Sequence, residues 1–222
     1  MPPAPRIKKT VKNDVFFARR PLLYLITEGN ATEENFTQAR AQILNLVKIA
    51  VATKISLIQI REKNLSARSV FRLASEAAEI AKRSNTKILV NDRADIALAA
   101  KAGGVHLSAN SLSAETIRRN FPKNFIIGVS THSLERAELA KKNGADFAAF
   151  SPIFSTPGKG APQGTNALRE VCEKLKPFPV IALGGIDETN YKSVLEAGAS
   201  GFAAIRFLND AENLRKLEKN KR

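Results

Sequence analysis

Short apolar runs alternate with longer segments of helical spacing along nearly the whole chain. The apolar runs are continuous, which is typical of strands that are buried on both faces. They predict eight strands, at Leu22–Thr27, Ile55–Ile60, Lys87–Val90, Gly104–Leu107, Phe125–Val129, Asp146–Phe150, Val180–Leu183 and Gly201–Ile205.

Helices are predicted after each of these strands. They cover Glu33–Thr53, Leu65–Ser84, Asp92–Ala102, Ser113–Asn120, Ser133–Asn143, Thr165–Leu175, Thr189–Ala197 and Asp210–Lys219. A helix between successive strands requires parallel pairing. Eight such units in about 200 residues favour a single (β/α)8 TIM barrel, with a doubly wound open sheet as the alternative. We assign residues 21–222 to the barrel and expect residues 1–20 to be a basic, disordered extension.

Composition and charge narrow the function classes. The chain has 222 residues, 44% of them hydrophobic, and a net charge of +14. Seven of these charges lie in residues 1–20 and 210–222, where basic tails are usually solvated, so we expect no nucleic acid partner. No apolar run is long enough to predict a membrane-spanning helix. The single cysteine, Cys172, excludes an intramolecular disulfide, which fits a cytoplasmic location. The sequence leaves open whether the protein forms a homo-oligomer.

Barrel enzymes hold their active sites just after each strand, so the residues at these strand ends are the candidates for catalysis and binding. Gln59, Arg61 and Lys63 follow the second strand, and strand alternation places them on one side. Two cations and an amide at one place suit an anion such as a diphosphate. The alternative is an ordinary ion-pair cluster with Glu62.

Polar residues also follow the third and fifth strands. Asn91 and Asp92 come after the third, where Asp92 either caps the next helix or binds Mg²⁺; taken alone, the cap is the better interpretation. His132, after the fifth, is an acid/base candidate or a locally bonded loop histidine. His106 lies within the fourth strand, where packing is expected.

Three later strand ends suggest a phosphate site. The sixth is followed by the longest loop, whose hydroxyls, glycines and Lys159 are suited to close over a phosphate. Gly184 and Gly185 follow the seventh strand, and Ile205 and Arg206 follow the eighth. Backbone amides at these two strand ends form the usual phosphate site of TIM barrels.

Motifs at these strand ends resemble one superfamily, that of thiamine phosphate synthase and thiazole tautomerase. The resemblance covers residues 22–208 and rests on the segments IQIREKN, LVNDRADIALAAKAGGVHL, IIGVSTHS, GADFAAFSPIFSTPGKGAPQG, VIALGGI and AGASGFAAI. It implies a Mg²⁺-dependent coupling of hydroxymethylpyrimidine diphosphate to a thiazole phosphate, with release of diphosphate. The implied partners are these small phosphorylated molecules.

The resemblance also implies roles for individual residues. Lys159, Ser130 and, in a tautomerase, His132 become the candidate catalytic residues. Asp92 matches a Mg²⁺ ligand. The implied substrate-binding positions are Gln59, Arg61, Lys63, Asn91 and Lys159 for diphosphate, Ser130 for the pyrimidine, and Thr156, Gly185 and Ile205 around the thiazole phosphate.

Two departures from the pattern leave the reaction open. Ser111 stands where the synthase carries a second acidic Mg²⁺ ligand, which should weaken metal binding. Arg206 replaces a small hydroxyl residue, either to bind the phosphate or to fill part of its pocket. The first departure and the segment HSLERA favour the tautomerase, whereas the diphosphate set favours the synthase. A ligand-binding relative without activity is the third hypothesis.

Overall fold

Eight parallel strands pair in chain order and close on themselves in the computed structural model, which describes residues 16–18 and 21–219. The closed sheet confirms the predicted TIM barrel. The strands are β1 (Leu22–Ile26), β2 (Leu57–Ile60), β3 (Lys87–Asn91), β4 (Gly104–Leu107), β5 (Ile126–Thr131), β6 (Phe147–Phe150), β7 (Val180–Leu183) and β8 (Gly201–Ala204).

A helix follows every strand and covers the outside of the barrel. The helices are α1 (Phe36–Ala52), α2 (Ala67–Ala81), α3 (Ala94–Ala99), α4 (Ala114–Asn120), α5 (Leu134–Lys142), α6 (Gly164–Leu175), α7 (Tyr191–Glu196) and α8 (Ala211–Lys219). A short 3₁₀ helix, Phe207–Asn209, precedes α8.

Alternation along the strands divides the core into two parts. On β1, Leu22, Tyr24 and Ile26 lie in the cluster that fills the barrel, while Leu23 and Leu25 pack among the helices outside it. Because successive strand side chains point to opposite faces, each strand contributes to both parts. The interior therefore consists of alternate strand positions, and a polar side chain at one of them must find its hydrogen-bond partner inside the barrel.

The third helix begins later than its sequence predicts. The helix α3 starts at Ala94, with Arg93 as its N-cap residue and no capping side chain. Asp92 has a φ of +59°, so the chain turns there before the helix begins. The prediction that Asp92 caps this helix is wrong, because its carboxylate is turned toward the β4–α4 loop instead.

The N-terminal end of the barrel is closed by an aromatic side chain that precedes β1. Residues 16–18 form a helical turn, and the Phe17 side chain is buried in the interior cluster, 5.7 Å from the Phe147 ring centroid. Residues 1–15, 19 and 20 of the predicted disordered extension lie outside the described residues. No helix in the described ranges is both long and apolar enough to cross a membrane.

Candidate active site

The Asp92 carboxylate is held at the C-terminal end of the barrel by three donors. Its Oδ1 accepts from the Ser108 amide at 2.8 Å and from the Ser111 hydroxyl. Its Oδ2 accepts from the Asn91 side-chain amide at 2.8 Å. Burial alone would raise the pKa of Asp92, but these bonds together lower it below the ordinary value. Asp92 is therefore charged at neutral pH and faces the loop that carries Ser111.

Cations lie at the same end without carboxylate partners. Within residues 16–18 and 21–219, no ion pair includes Arg61, Lys63, Lys159 or Arg206. The predicted alternative, an ion-pair cluster with Glu62, is not what the structure shows. Glu62 is buried and accepts from the amides of Gly29 and Ala31 at 3.2 and 3.0 Å. Arg61 therefore remains available to an anion from outside the protein.

Gln59 faces the barrel interior, and Ser130 lies half-buried at its rim. The Gln59 side chain donates to the Tyr24 hydroxyl at 2.6 Å, and the Ser130 hydroxyl lies 2.8 Å from His106 Nε2. Packing was expected for His106, and its 3% exposure confirms burial. Tyr24 did not stand out in the sequence, although alternation with Leu22 and Ile26 is a signal that it faces inward.

The β6–α6 loop packs directly on the glycines that follow β7. The Phe154 amide donates to the Gly184 carbonyl at 3.0 Å, and the Thr156 hydroxyl donates to the Phe154 carbonyl at 3.0 Å. In the described part of the chain, the Gly185 amide donates to no acceptor. Thr156 and Gly185 are thus brought together, and the exposed Lys159 lies further along the same loop.

Replacing Gly185 by alanine is expected to destabilise this contact. Gly185 has a φ of +65°, and a Cβ there would lie 2.6 Å from the Ser155 carbonyl oxygen. We expect Gly185→Ala to lower the free energy of unfolding, measured in urea, by about 1–3 kcal/mol. Gly160→Ala in the same loop is the control, because a Cβ there meets no atom within 4 Å. Equal stability of the two variants would contradict the predicted clash.

The chain after β8 closes the rim beside β1. Ile205 is half-buried against the interior cluster, and Arg206 is exposed at the start of the 3₁₀ helix. The Asn209 side-chain amide donates to the carbonyls of Ile26 and Ile205 at 2.7 and 2.6 Å. These bonds fix the backbone that carries Arg206, while its side chain extends into solvent.

His132 lies at the base of the β6–α6 loop. Its Nδ1 lies 2.7 Å from the carbonyl oxygen of Ser151. Because a carbonyl only accepts, Nδ1 carries the proton of a neutral ring and Nε2 keeps its lone pair. The ring is exposed, so this lone pair is accessible to a ligand.

The oxygen atoms around Asp92 suit a divalent cation only in part. Asp92, Ser108 and Ser111 offer hard oxygen ligands, but only one of these side chains is a carboxylate. The described residues contain no group of three or more His, Cys, Asp or Glu side chains placed to hold a metal. This donor set fits Mg²⁺ that takes its remaining ligands from substrate phosphates and water, which is how Mg²⁺ is commonly held.

A cavity lies at the other end of the barrel. It has a volume of about 800 Å³, and its lining includes Leu22, Ser56, Thr86 and Phe202, which lie at or near the beginnings of strands. None of the candidate site residues lines it. This cavity is therefore not part of the candidate site at the C-terminal end.

Comparisons with known proteins agree on one family. The sequence profile described as "Thiamine monophosphate synthase" matches residues 23–208. A protein from Aquifex aeolicus named putative thiamine-phosphate synthase 2 is 41% identical over 83% of this chain and 96% of its own length. The thiamine-phosphate synthase of Clostridium novyi is 37% identical over 82% of this chain and 88% of its own.

A solved structure gives the same result. Thiamine phosphate pyrophosphorylase from Pyrococcus furiosus superposes with a TM-score of 0.75 at 30% sequence identity. The superposition covers 90% of this chain and 96% of the other.

Proposed function

The chain belongs to the thiamine monophosphate synthase family, and on that premise we propose that it couples 4-amino-5-hydroxymethyl-2-methylpyrimidine diphosphate to a thiazole phosphate. The observation that carries the proposal is the set of cations that follow strand ends at the same end of the barrel as Asp92. Arg61 and Lys63 lie in the segment that follows β2, and Lys159 belongs to the β6–α6 loop. No protein carboxylate in the described residues forms an ion pair with them. Such a site favours a multiply charged anion.

These side chains stabilise the charge that develops on the leaving group. As the carbon–oxygen bond to diphosphate breaks, negative charge grows on the oxygens that face Arg61, Lys63 and Lys159. Asn91 offers an amide to the same group. Ser130 contacts the pyrimidine, which becomes a carbocation and is captured by the thiazole nitrogen. Thr156, Gly185, Ile205 and Arg206 surround the thiazole phosphate in this proposal.

A metal ion completes the proposed site. Asp92 would hold Mg²⁺ together with the diphosphate, and the bound ion would neutralise part of the charge of the leaving group. The Ser111 hydroxyl donates to Asp92 and adds no negative charge. We therefore expect Mg²⁺ to bind more tightly with the diphosphate substrate than without it. A cytoplasmic location is part of the proposal, since the single cysteine excludes an intramolecular disulfide.

The proposal is tested by assaying the purified chain with both substrates and Mg²⁺. We expect thiamine phosphate and diphosphate to form in equal amounts, measured by chromatography and a coupled diphosphate assay. A parallel reaction with an established synthase checks the substrates. If that control is active and this chain releases no diphosphate, the synthase proposal is wrong.

The second candidate function is thiazole tautomerisation by proton transfer at His132. The observation that favours it is the accessible Nε2 lone pair, which is the feature required of a general base. In that case the wild-type chain converts the thiazole carboxylate phosphate, and His132→Ala loses this activity. Conversion that survives His132→Ala counts against the tautomerase. Binding of the phosphorylated ligands with neither activity would indicate a relative without catalysis.

A further inference from the structure

Three hydrogen bonds cross the barrel interior in one continuous series. Gln59 Nε2 donates to the Tyr24 hydroxyl at 2.6 Å, this hydroxyl lies 3.0 Å from His106 Nδ1, and His106 Nε2 lies 2.8 Å from the Ser130 hydroxyl. The four side chains come from β2, β1, β4 and β5. We call this series the interior relay. Three of its members are 3% exposed or less, and only Ser130 reaches the half-buried rim.

Polar side chains in this position require an explanation. The rest of the interior cluster is apolar, and includes Leu57, Leu89, Phe147 and Ile181. Burying a hydroxyl, an amide and an imidazole is costly unless each is hydrogen-bonded, and aliphatic side chains would fill the same volume without that cost. The interior relay meets the requirement, and its one accessible end is Ser130.

The direction of each bond follows from the donors. The Gln59 amide donates to the Tyr24 oxygen, so the Tyr24 proton is directed to His106 Nδ1. His106 Nδ1 is then an acceptor, and in a neutral ring the proton resides on Nε2. Nε2 donates to the Ser130 oxygen. The Ser130 proton is therefore not used within the interior relay, and the Ser130 hydroxyl makes no other hydrogen bond within the described part of the chain.

The bond directions themselves require a neutral His106 ring. A ring that accepts from the Tyr24 hydroxyl at Nδ1 carries its one proton on Nε2, where it donates to Ser130.

We propose that Gln59, Tyr24 and His106 are positioning residues that hold the Ser130 hydroxyl as a hydrogen-bond donor toward the ligand. The ligand atom that meets Ser130 is therefore an acceptor, such as an aromatic ring nitrogen, rather than an amino group. Assigning that atom to the pyrimidine rests on the proposed function. The donor direction of Ser130 rests on the interior hydrogen bonds alone.

The tautomer of His106 tests the donor direction without any ligand. The chain has two histidines, so ¹⁵N spectra of histidine-labelled protein contain two rings, and a His132→Gln variant assigns them. We expect His106 to be neutral and protonated on Nε2 at pH 7. A ring protonated on Nδ1, or a charged ring, would overturn the proposal, because the Tyr24 proton would then have no acceptor at Nδ1.

Binding of the pyrimidine diphosphate, measured by calorimetry, tests the consequence for the ligand. His106→Leu removes the donor to Ser130, and we expect Kd to rise about tenfold. His106→Gln can still donate to Ser130 and should restore most of the affinity. Phe147→Leu is the packing control, because Phe147 contacts the Tyr24 and His106 rings without joining the interior relay.

Three outcomes separate the explanations. Weaker binding in His106→Leu with rescue in His106→Gln supports the positioning role. Equal losses in His106→Leu and Phe147→Leu overturn it, because packing alone would explain them. If the wild-type chain does not bind the pyrimidine diphosphate, the proposed function fails, and the ¹⁵N spectra still decide the direction of the Ser130 hydroxyl.

Discussion

Arg61→Met is expected to lower kcat/KM for the diphosphate substrate by about 100- to 1,000-fold. Arg61 is half-buried at the end of β2 and has no carboxylate partner among the described residues. Burial is the main cause of the lowered pKa of His106, and the Arg61 charge adds a smaller effect in the same direction. A charge at this depth is weakly screened by solvent, so its effect on a developing anion is large. Steady-state kinetics with varied diphosphate substrate measure the change.

Two further variants test whether the loss of kcat/KM is specific to the guanidinium group at position 61. Arg61→Lys keeps the charge but loses the planar fork, and we expect a loss of about tenfold. Arg119→Met removes the same charge from the exposed face of α4, where Arg119 pairs with Glu115. It should leave kcat/KM within about twofold, because exposed ion pairs contribute little. Similar losses in Arg61→Met and Arg119→Met would contradict an anion site at Arg61 and indicate a net-charge effect instead.

The pattern of the sequence predicts the barrel because each strand is continuously apolar. A strand such as β1 contributes Tyr24 to the interior and Leu23 and Leu25 to the outer core, so both faces must be apolar. This requirement reveals the strands and their parallel order. It does not reveal where helices begin when the intervening turn is unusual, as at Asp92 with its positive φ.

The candidate site is predictable at the strand ends and much less so inside the barrel. Arg61 and Asp92 are identified by their place after apolar strands. Tyr24 and His106 are 82 positions apart in the chain, and only closure of the barrel brings their side chains together. Strand order alone does not show which interior side chains meet across a barrel. The role of Ser111 as a donor to Asp92 also requires the loop conformation.

The two ends of the barrel differ in whether their charged side chains are paired within the protein. At the C-terminal end, cations without protein partners remain available to an anion. At the other end, a buried pair of opposite charges is satisfied within the protein. Arg118 of α4 and Asp146, which precedes β6, form an ion pair at 2.6 Å with side chains 6% and 2% exposed. This division is the one expected of TIM barrels, where the C-terminal face provides function and the other face stability.

Arg118→Met is expected to lower the free energy of unfolding by about 3–5 kcal/mol, since removing one partner leaves a buried charge unpaired. Arg118 also donates to the carbonyls of Gly144 and Phe125 at 3.0 and 2.9 Å, which lose their donor. Asp146 in addition accepts from the Ile127 amide at 2.8 Å. The pair therefore joins α4, the start of β5 and the turn before β6. Urea unfolding followed by circular dichroism measures the loss.

The neighbouring residue provides the matched control. Arg119→Met removes an exposed pair from the same helix and should cost no more than about 1 kcal/mol. Adding Asp146→Asn to Arg118→Met removes the unpaired charge while keeping an acceptor for the Ile127 amide. We expect this second substitution to recover about 1–2 kcal/mol relative to Arg118→Met alone. If it instead destabilises the protein further, the buried charge is not the main cause of the loss, and the severed carbonyl contacts of Arg118 are.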